Sequence, residues 1–199
     1  MWFGTQAGLA RYDAYRMTIY KSNPRDPTSL IDNYVLSAFE DAQGGLWFGT
    51  KGGLNRYDRL TQKFTRYAPD QSTPDTSSNR TVAVIVKDGT RGLWLGTEDG
   101  LKRFDFSTRQ FTALRHDPND PASIRDERIN ALVHDRHGNL WIGTASGLDR
   151  MQPGLTSFDH INIDIAGRSK EKQNIVRSLL IGADEQLWIG SDHGLSRLS

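Results

Sequence analysis

Apolar and polar positions recur along this chain with a period of about 47 residues. The five tryptophans mark it: Trp2, Trp47, Trp94, Trp141 and Trp188 stand 45, 47, 47 and 47 residues apart, in the runs WFGT, WFGT, WLGT, WIGT and WIGS. Six residues after each comes a Gly-Leu pair, at Gly8, Gly53, Gly100, Gly147 and Gly194. Nine residues after each comes an arginine: Arg11, Arg56, Arg103, Arg150 and Arg197. Before the last four tryptophans a leucine sits one residue back, and Val35, Val82, Ile129 or Val176 sits twelve back.

Each column has a local meaning. LWFGT is short, β-prone and apolar on both faces, with Leu46 and Phe48 directed one way and Trp47 the other. Such a strand lies between two packed layers. The small Gly49 leaves room on the tryptophan face for a neighbour. Two polar residues and a glycine then predict a tight hairpin, with the glycine at positive φ. An alternating strand follows (GLNRYD, GLKRFD), then a third (KFTRY, QFTAL, SFDHI). A further strand leads into each tryptophan run (VLSAFED, VAVIVKD, INALVHD, VRSLLIG), and Asp41, Asp88 and Asp135 close it in an Asx-type turn. In the shorter first repeat, Met17 and Tyr20 take the columns of Phe64 and Tyr67.

About 47 residues thus hold four short antiparallel strands and no helix, the size of a β-propeller blade. The expected fold is all-β: propeller blades over about 1–30, 31–77, 78–124, 125–171 and 172–199, forming one partial or small propeller. The count is eighteen strands, the first and fifth blades each lacking one. Long polar connections with paired prolines (Pro24/Pro27, Pro69/Pro74, Pro118/Pro121) link the blades, the prolines limiting the entropy lost in ordering them. The fourth connection has no proline and carries Arg168, Lys170 and Lys172. The fifth copy has Gly182 and Ser191 where the others have aspartate and threonine.

Composition narrows the function classes. Lys plus Arg is 25 and Asp plus Glu is 24, so no net charge points to nucleic acid or an anionic membrane surface. Mean hydropathy is −0.60, and no run approaches the ~20 apolar residues of a membrane span. The first residues, MWFGTQAGLARYD, hold neither an apolar signal core nor a basic leader. Absence of cysteine excludes disulfides, thiolate metal sites and cysteine nucleophiles.

The pattern [ND]-x-x-V-x-x-[IL]-x-x-D-x-x-G-x-LW[FI]GT-x-x-GL-x-R[YF]D resembles the two-component regulator propeller repeat, in four full periods and a fifth copy of the core motif. The resemblance implies the extracytoplasmic, periplasmic sensor half of a bacterial inner-membrane regulator whose output is a histidine kinase or a diguanylate cyclase. It implies an oligosaccharide or other small polar ligand, with the rest of the same chain, as a dimer, for partner. No cofactor is expected. Such sensors hold many more repeats than 199 residues provide, so the chain reads as a fragment of a longer sensor. The alternative is a small closed ring whose incomplete end blades complete each other.

The candidate chemistry is sparse. The arginine column reads as structural, each guanidinium stacking on an aromatic or pairing with an aspartate such as Asp13, Asp58 or Asp105. The tryptophans read as core. His134 and His137 flank a turn without a third ligand for zinc, and His116, His160 and His193 occupy unrelated columns. No pair of carboxylates suits glycoside hydrolysis. Residues that break the repeat, such as Arg168–Lys172, form no acid/base pair. The candidate ligand contacts precede the innermost strands, where residues vary between repeats: Asp32, Asn33, Asn79, Arg80, Asp126, Glu127, Gln173 and Asn174. The leading expectation is a non-catalytic ligand sensor. A protein-interaction scaffold using the proline loops is the second, and a propeller lyase or hydrolase the third.

Overall fold

A computed structural model describes residues 1–68, 80–163 and 174–198. Asn79, Gln173, Pro69, Pro74 and the basic residues Arg168, Lys170 and Lys172 lie outside the described residues. The described residues form eighteen strands in five antiparallel sheets. Three-stranded sheet one holds β1 (Trp2–Thr5), β2 (Gly8–Tyr12) and β3 (Met17–Tyr20). Sheet two holds β4 (Val35–Glu40), β5 (Leu46–Thr50), β6 (Gly53–Asp58) and β7 (Lys63–Tyr67). Sheet three holds β8 (Val82–Asp88), β9 (Gly92–Thr97), β10 (Leu101–Asp105) and β11 (Phe111–Leu114). Sheet four holds β12 (Ile129–His134), β13 (Leu140–Thr144), β14 (Gly147–Met151) and β15 (Phe158–Ile161). Sheet five holds β16 (Val176–Ile181), β17 (Leu187–Ser191) and β18 (Gly194–Leu198). Within each sheet the strands lie in chain order, the pattern of propeller blades. No helix among the described residues is long and apolar enough to cross a membrane.

The chain divides into two compact units: residues 1–98 with 103–111, and 99–102 with 112–199. In the first unit the two faces of the tryptophan strand do separate work. Leu46 and Phe48 join Leu9, Leu30, Val35, Tyr57 and Phe64 in one core, with Trp2 and Tyr20 of sheet one against it. Trp47 turns the other way, into a second core with Leu54, Val82, Ile85, Leu93, Leu95 and Phe104. Every residue of β5 is buried in consequence. Aromatic rings at 4.9–5.6 Å (Trp2–Tyr57, Tyr20–Tyr57, Tyr20–Phe64) tie sheets one and two, each such pair contributing about 0.5–1.5 kcal/mol beyond area burial. In the second unit Trp141 and Leu148 of sheet four meet Val176, Leu187 and Ile189 of sheet five.

The hairpin glycines adopt the expected left-handed conformation, as at Gly53 (φ 139°) and Gly147 (φ 142°). The threonine after each W-x-G locks the same turn: Thr50 Oγ1 donates to the Gly53 carbonyl at 2.8 Å and accepts from the Gly52 amide, and Thr144 donates to the Gly147 carbonyl at 3.0 Å. Strand order makes β4, β8, β12 and β16 the inner strands, β4 packing on β8 and β12 on β16. Each inner strand carries a β-bulge at the same place, with Leu36, Ala83, Asn130 and Arg177 as the extra residues. A bulge re-aims its side chain; Asn130 Nδ2 uses this to donate to the Val176 carbonyl at 2.9 Å, crossing from sheet four to sheet five.

The described blade connections are held from within. Leu30 and Ile124 are fully buried plugs. The Phe64 amide donates to the Thr28 carbonyl and the Phe158 amide to the Ala122 carbonyl, so each loop covers part of an outer-strand edge. Arg66 closes the first loop, its guanidinium donating to the carbonyls of Asn23, Asp26, Ser29 and Leu30.

Candidate functional site

The arginine column stacks on its own tryptophans. In all five copies the guanidinium carbon lies 5.6–5.9 Å from the indole centroid. Its polar partners differ by repeat. Arg11 donates to the Tyr57 hydroxyl at 3.1 Å, Arg103 pairs with Asp88 at 2.6 Å, and Arg150 pairs with Asp159 at 2.8 Å.

Asp13, Asp58 and Asp105 pair with none of the column arginines; each caps its own hairpin turn instead. Asp58 accepts from the amides of Leu60 and Thr61, and Asp105 from those of Ser107 and Thr108. The Ser107 hydroxyl, followed by the Thr108 and Ser107 amides, holds the Asp105 carboxyl at a pKa of about 2. These bonds require the carboxylate. Their stabilising contribution is therefore present above pH ~4, the unfolded value, and is lost as pH falls toward 2. NMR titration of Asp105 should give a midpoint near 2, and Ser107→Ala should move it upward. An unchanged midpoint in the variant would assign the shift to the amides alone.

At β4 and β12 the closing aspartate has a second role that sequence reasoning missed, whereas Asp88 at the end of β8 pairs with Arg103 instead of forming the expected Asx turn. Asp41 Oδ2 accepts from Trp47 Nε1 at 2.7 Å and Asp135 Oδ2 from Trp141 Nε1 at 2.9 Å, while Oδ1 holds the turn amides. The spacing of six residues does not by itself signal it, because Asp88 and Trp94 share that spacing without the bond.

The candidate ligand column is mostly occupied by turn contacts. Asp32 Oδ1 accepts from the Tyr34 amide at 2.7 Å and Asp126 Oδ1 from the Arg128 amide at 2.8 Å, both leading the chain into an inner strand. Asn33 Oδ1 accepts from the Ser22 amide at 2.8 Å, and Asp126 Oδ2 takes the Ser146 hydroxyl. The Glu127 side chain is exposed; Arg80 and Asn174 are half-buried. Among the described residues no two of these side chains hydrogen-bond each other. No group of three histidine, aspartate or glutamate side chains among the described residues could hold a metal ion.

Two further places stand out. In the second unit Asp149, fully buried, accepts from the Arg125 amide at 2.8 Å, from Arg125 Nε at 3.3 Å and from His160 Nδ1 at 2.7 Å. Asp149 and His160 face each other across β14 and β15. The same register in sheet two holds Asn55 and Arg66, and Asn55 Oδ1 accepts from the Ile31 amide at 2.9 Å. In the first unit a cavity of about 190 Å³ is walled by Trp47, Tyr67, Phe104 and Phe106, with Arg56 and Arg109 exposed on its rim. Phe106 stacks on Trp47 at 5.3 Å with the rings 16° apart. A second hollow of about 300 Å³ adjoins it and shares Asp41, Gln43 and Phe106. The sequence signal was Phe106 itself, which breaks its column: Ala14, Arg59 and Pro153 stand there in the other repeats.

Residues 41–192 match the family described as SMP-30/Gluconolactonase/LRE-like region, and residues 29–52 match the two component regulator propeller. Among solved structures, the chain is similar to the extracellular domain of BT3049 of B. thetaiotaomicron, titled a hybrid two component system, with TM-score 0.77 and 26% identity over 100% of the chain. It is also similar to the extracellular domain of BT4673 from the same organism, with TM-score 0.79 and 25% identity over 98% of the chain. In each case it spans 25% of the longer protein's chain. Virginiamycin B lyase of Staphylococcus aureus shares the fold, with TM-score 0.69 and 16% identity over 100% of the chain and 62% of the enzyme. No curated protein matches the chain. Its tryptophan strands, glycine hairpins and sheet-to-sheet packing are those of one repeating unit, and the chain belongs to the SMP-30/Gluconolactonase/LRE-like family and carries the two-component regulator propeller repeat.

Proposed function

We propose that this chain is a non-catalytic, ligand-sensing propeller module of a bacterial membrane-bound regulator with a histidine kinase or diguanylate cyclase output. The observation that carries the reading is the likeness, over 98% or more of the chain, to extracellular domains of two B. thetaiotaomicron signalling systems. The module lies on the periplasmic side of the inner membrane and is one part of a longer sensor. Its ligand is small and polar, of the oligosaccharide class, and its partner is the remainder of its own chain, as a dimer. Ligand binding acts by favouring one arrangement of that assembly over another. The encoding DNA on both sides of the segment tests this. Further W-x-G-T repeats, a membrane helix and a kinase or cyclase segment in the same frame are expected; a frame that lacks them overturns the reading.

One set of observations favours an enzyme: the family match over residues 41–192 and a histidine oriented by a buried carboxylate, His160 with Asp149. A carboxylate behind an imidazole is the arrangement of a general base. Against it, Asp149 does the same backbone-holding work as Asn55 one unit earlier. Incubation of the purified chain with lactones and glycans separates the two readings. Turnover that disappears in His160→Ala establishes the enzyme, and recovery of every substrate unchanged supports the sensor.

A further inference from the structure

The cavity beside Phe106 carries two guanidiniums on its rim, those of Arg56 and Arg109, that make no hydrogen bond or ion pair among the described residues; Asp58 acts on Arg56 only through space. Arg11 reaches a tyrosine hydroxyl on the next sheet, that of Tyr57. One period after Tyr57 stands Phe104, which lines the cavity together with Arg56, and phenylalanine has no hydroxyl to offer. Among the described residues Arg56 therefore has its contact with the Trp47 ring but no hydrogen bond or ion pair. The Arg109 guanidinium, on the same rim, forms none either. The corresponding rim between sheets one and two has Arg59 in place of Phe106, and Arg59 is neutralised by Glu40 at 2.7 Å.

The one carboxylate that lines the cavity is already used. Asp41 holds the amides of Gln43 and Gly45 with Oδ1 and the Trp47 indole with Oδ2. A sugar ring would find an aromatic platform here but no free carboxylate to receive its hydroxyls. An anion would find two guanidiniums, which favour planar bidentate recognition of a carboxylate. The apolar wall of Trp47, Tyr67 and Phe106 suits a flat ring, and about 190 Å³ is below the ~300–1,000 Å³ of pockets for drug-sized ligands, which sets the size at a single ring.

We propose that this cleft binds a small aromatic carboxylate, the ring against Phe106 and the carboxylate on Arg56 and Arg109. The proposal concerns binding alone and stands whether or not the module signals.

The test is titration of the full purified chain, followed by calorimetry and tryptophan fluorescence. The probes are benzoate and indole-3-acetate, benzyl alcohol as a ring without charge, and glucuronate as a charge without an aromatic face. Saturable binding of the aromatic acids is expected, weakening as salt is raised, with benzyl alcohol and glucuronate binding at least ~10-fold more weakly. Arg56→Gln and Arg109→Gln should each reduce affinity by ~10-fold or more, the size of one charge-assisted hydrogen bond. Phe106→Leu, which keeps the wall apolar, should weaken the aromatic acids while circular dichroism stays unchanged. Absence of saturation by either acid up to ~10 mM, equal binding of benzyl alcohol, or tighter binding of glucuronate would each overturn the proposal.

Discussion

Replacing Asp149 with alanine is expected to lower stability by about 2–4 kcal/mol. Its carboxylate is fully buried and takes three hydrogen bonds from two partners. Removal orphans the Arg125 amide and leaves the Arg125 guanidinium and the His160 ring without their shared anion. The Arg125 and His160 side chains are 27% and 34% exposed, so water recovers part of the loss, which keeps the effect below the ~5 kcal/mol upper end for a broken buried pair. Asparagine should recover most of the stability, because Asn55 already performs the amide-holding role in sheet two. Thermal midpoints of the two variants measure this, each 1 kcal/mol corresponding to about 2–4 °C in Tm for a chain of this length. An alanine variant within ~0.5 kcal/mol of the parent, the range of an ordinary surface substitution, would show that the cluster contributes nothing to the fold.

The second large effect concerns the glycine of W-x-G-T. A Cβ placed on Gly49 would first meet the Ser37 hydroxyl of its own sheet, and behind it the next sheet, at 2.5 Å from the Val82 carbonyl oxygen and 2.8 Å from Val82 Cγ1. Backbone cannot move aside as a side chain can, so Gly49→Ala must push sheets two and three apart, at about 3 kcal/mol, the upper part of the overpacking range. At Gly143 the first obstacle is the side chain of Val176, at 2.5 Å, and at Gly4 it is the side chain of Val35, at 3.0 Å. The expected order of destabilisation is Gly49→Ala, then Gly143→Ala, then Gly4→Ala. Thermal midpoints of the three variants check it. Equal losses would mean that the column acts through backbone conformation and not through close approach.

How much of this was legible beforehand depends on the range over which each feature is decided. Strand type and the hairpins follow from alternation and turn chemistry inside one repeat, so LWFGT-x-x-GL could be read without a partner. The two-sided burial of β5 was readable too, because a strand apolar on both faces has nowhere else to go. The role of the W-x-G-T threonine was not, although it is local: a hydroxyl in a β-prone run gives no sign that it will bond the hairpin carbonyl. The bulge shared by four inner strands was hidden because an extra residue leaves the apolar pattern of β4 or β12 intact.

The period, the all-β class and the blade unit were thus determined by the sequence itself, since five copies of one motif allow little else. Tertiary structure alone decided which polar groups are satisfied. Asp13, Asp58 and Asp105 stand close to the column arginines in sequence yet turn inward to their own hairpins. Asp149 gains His160 only when β14 and β15 align. Arg56 is left to its tryptophan, with Phe104 of the following blade, and not a tyrosine, beside it in the cavity lining. Chain order records both columns, but only sheet-to-sheet packing says which residue of one answers which residue of the other.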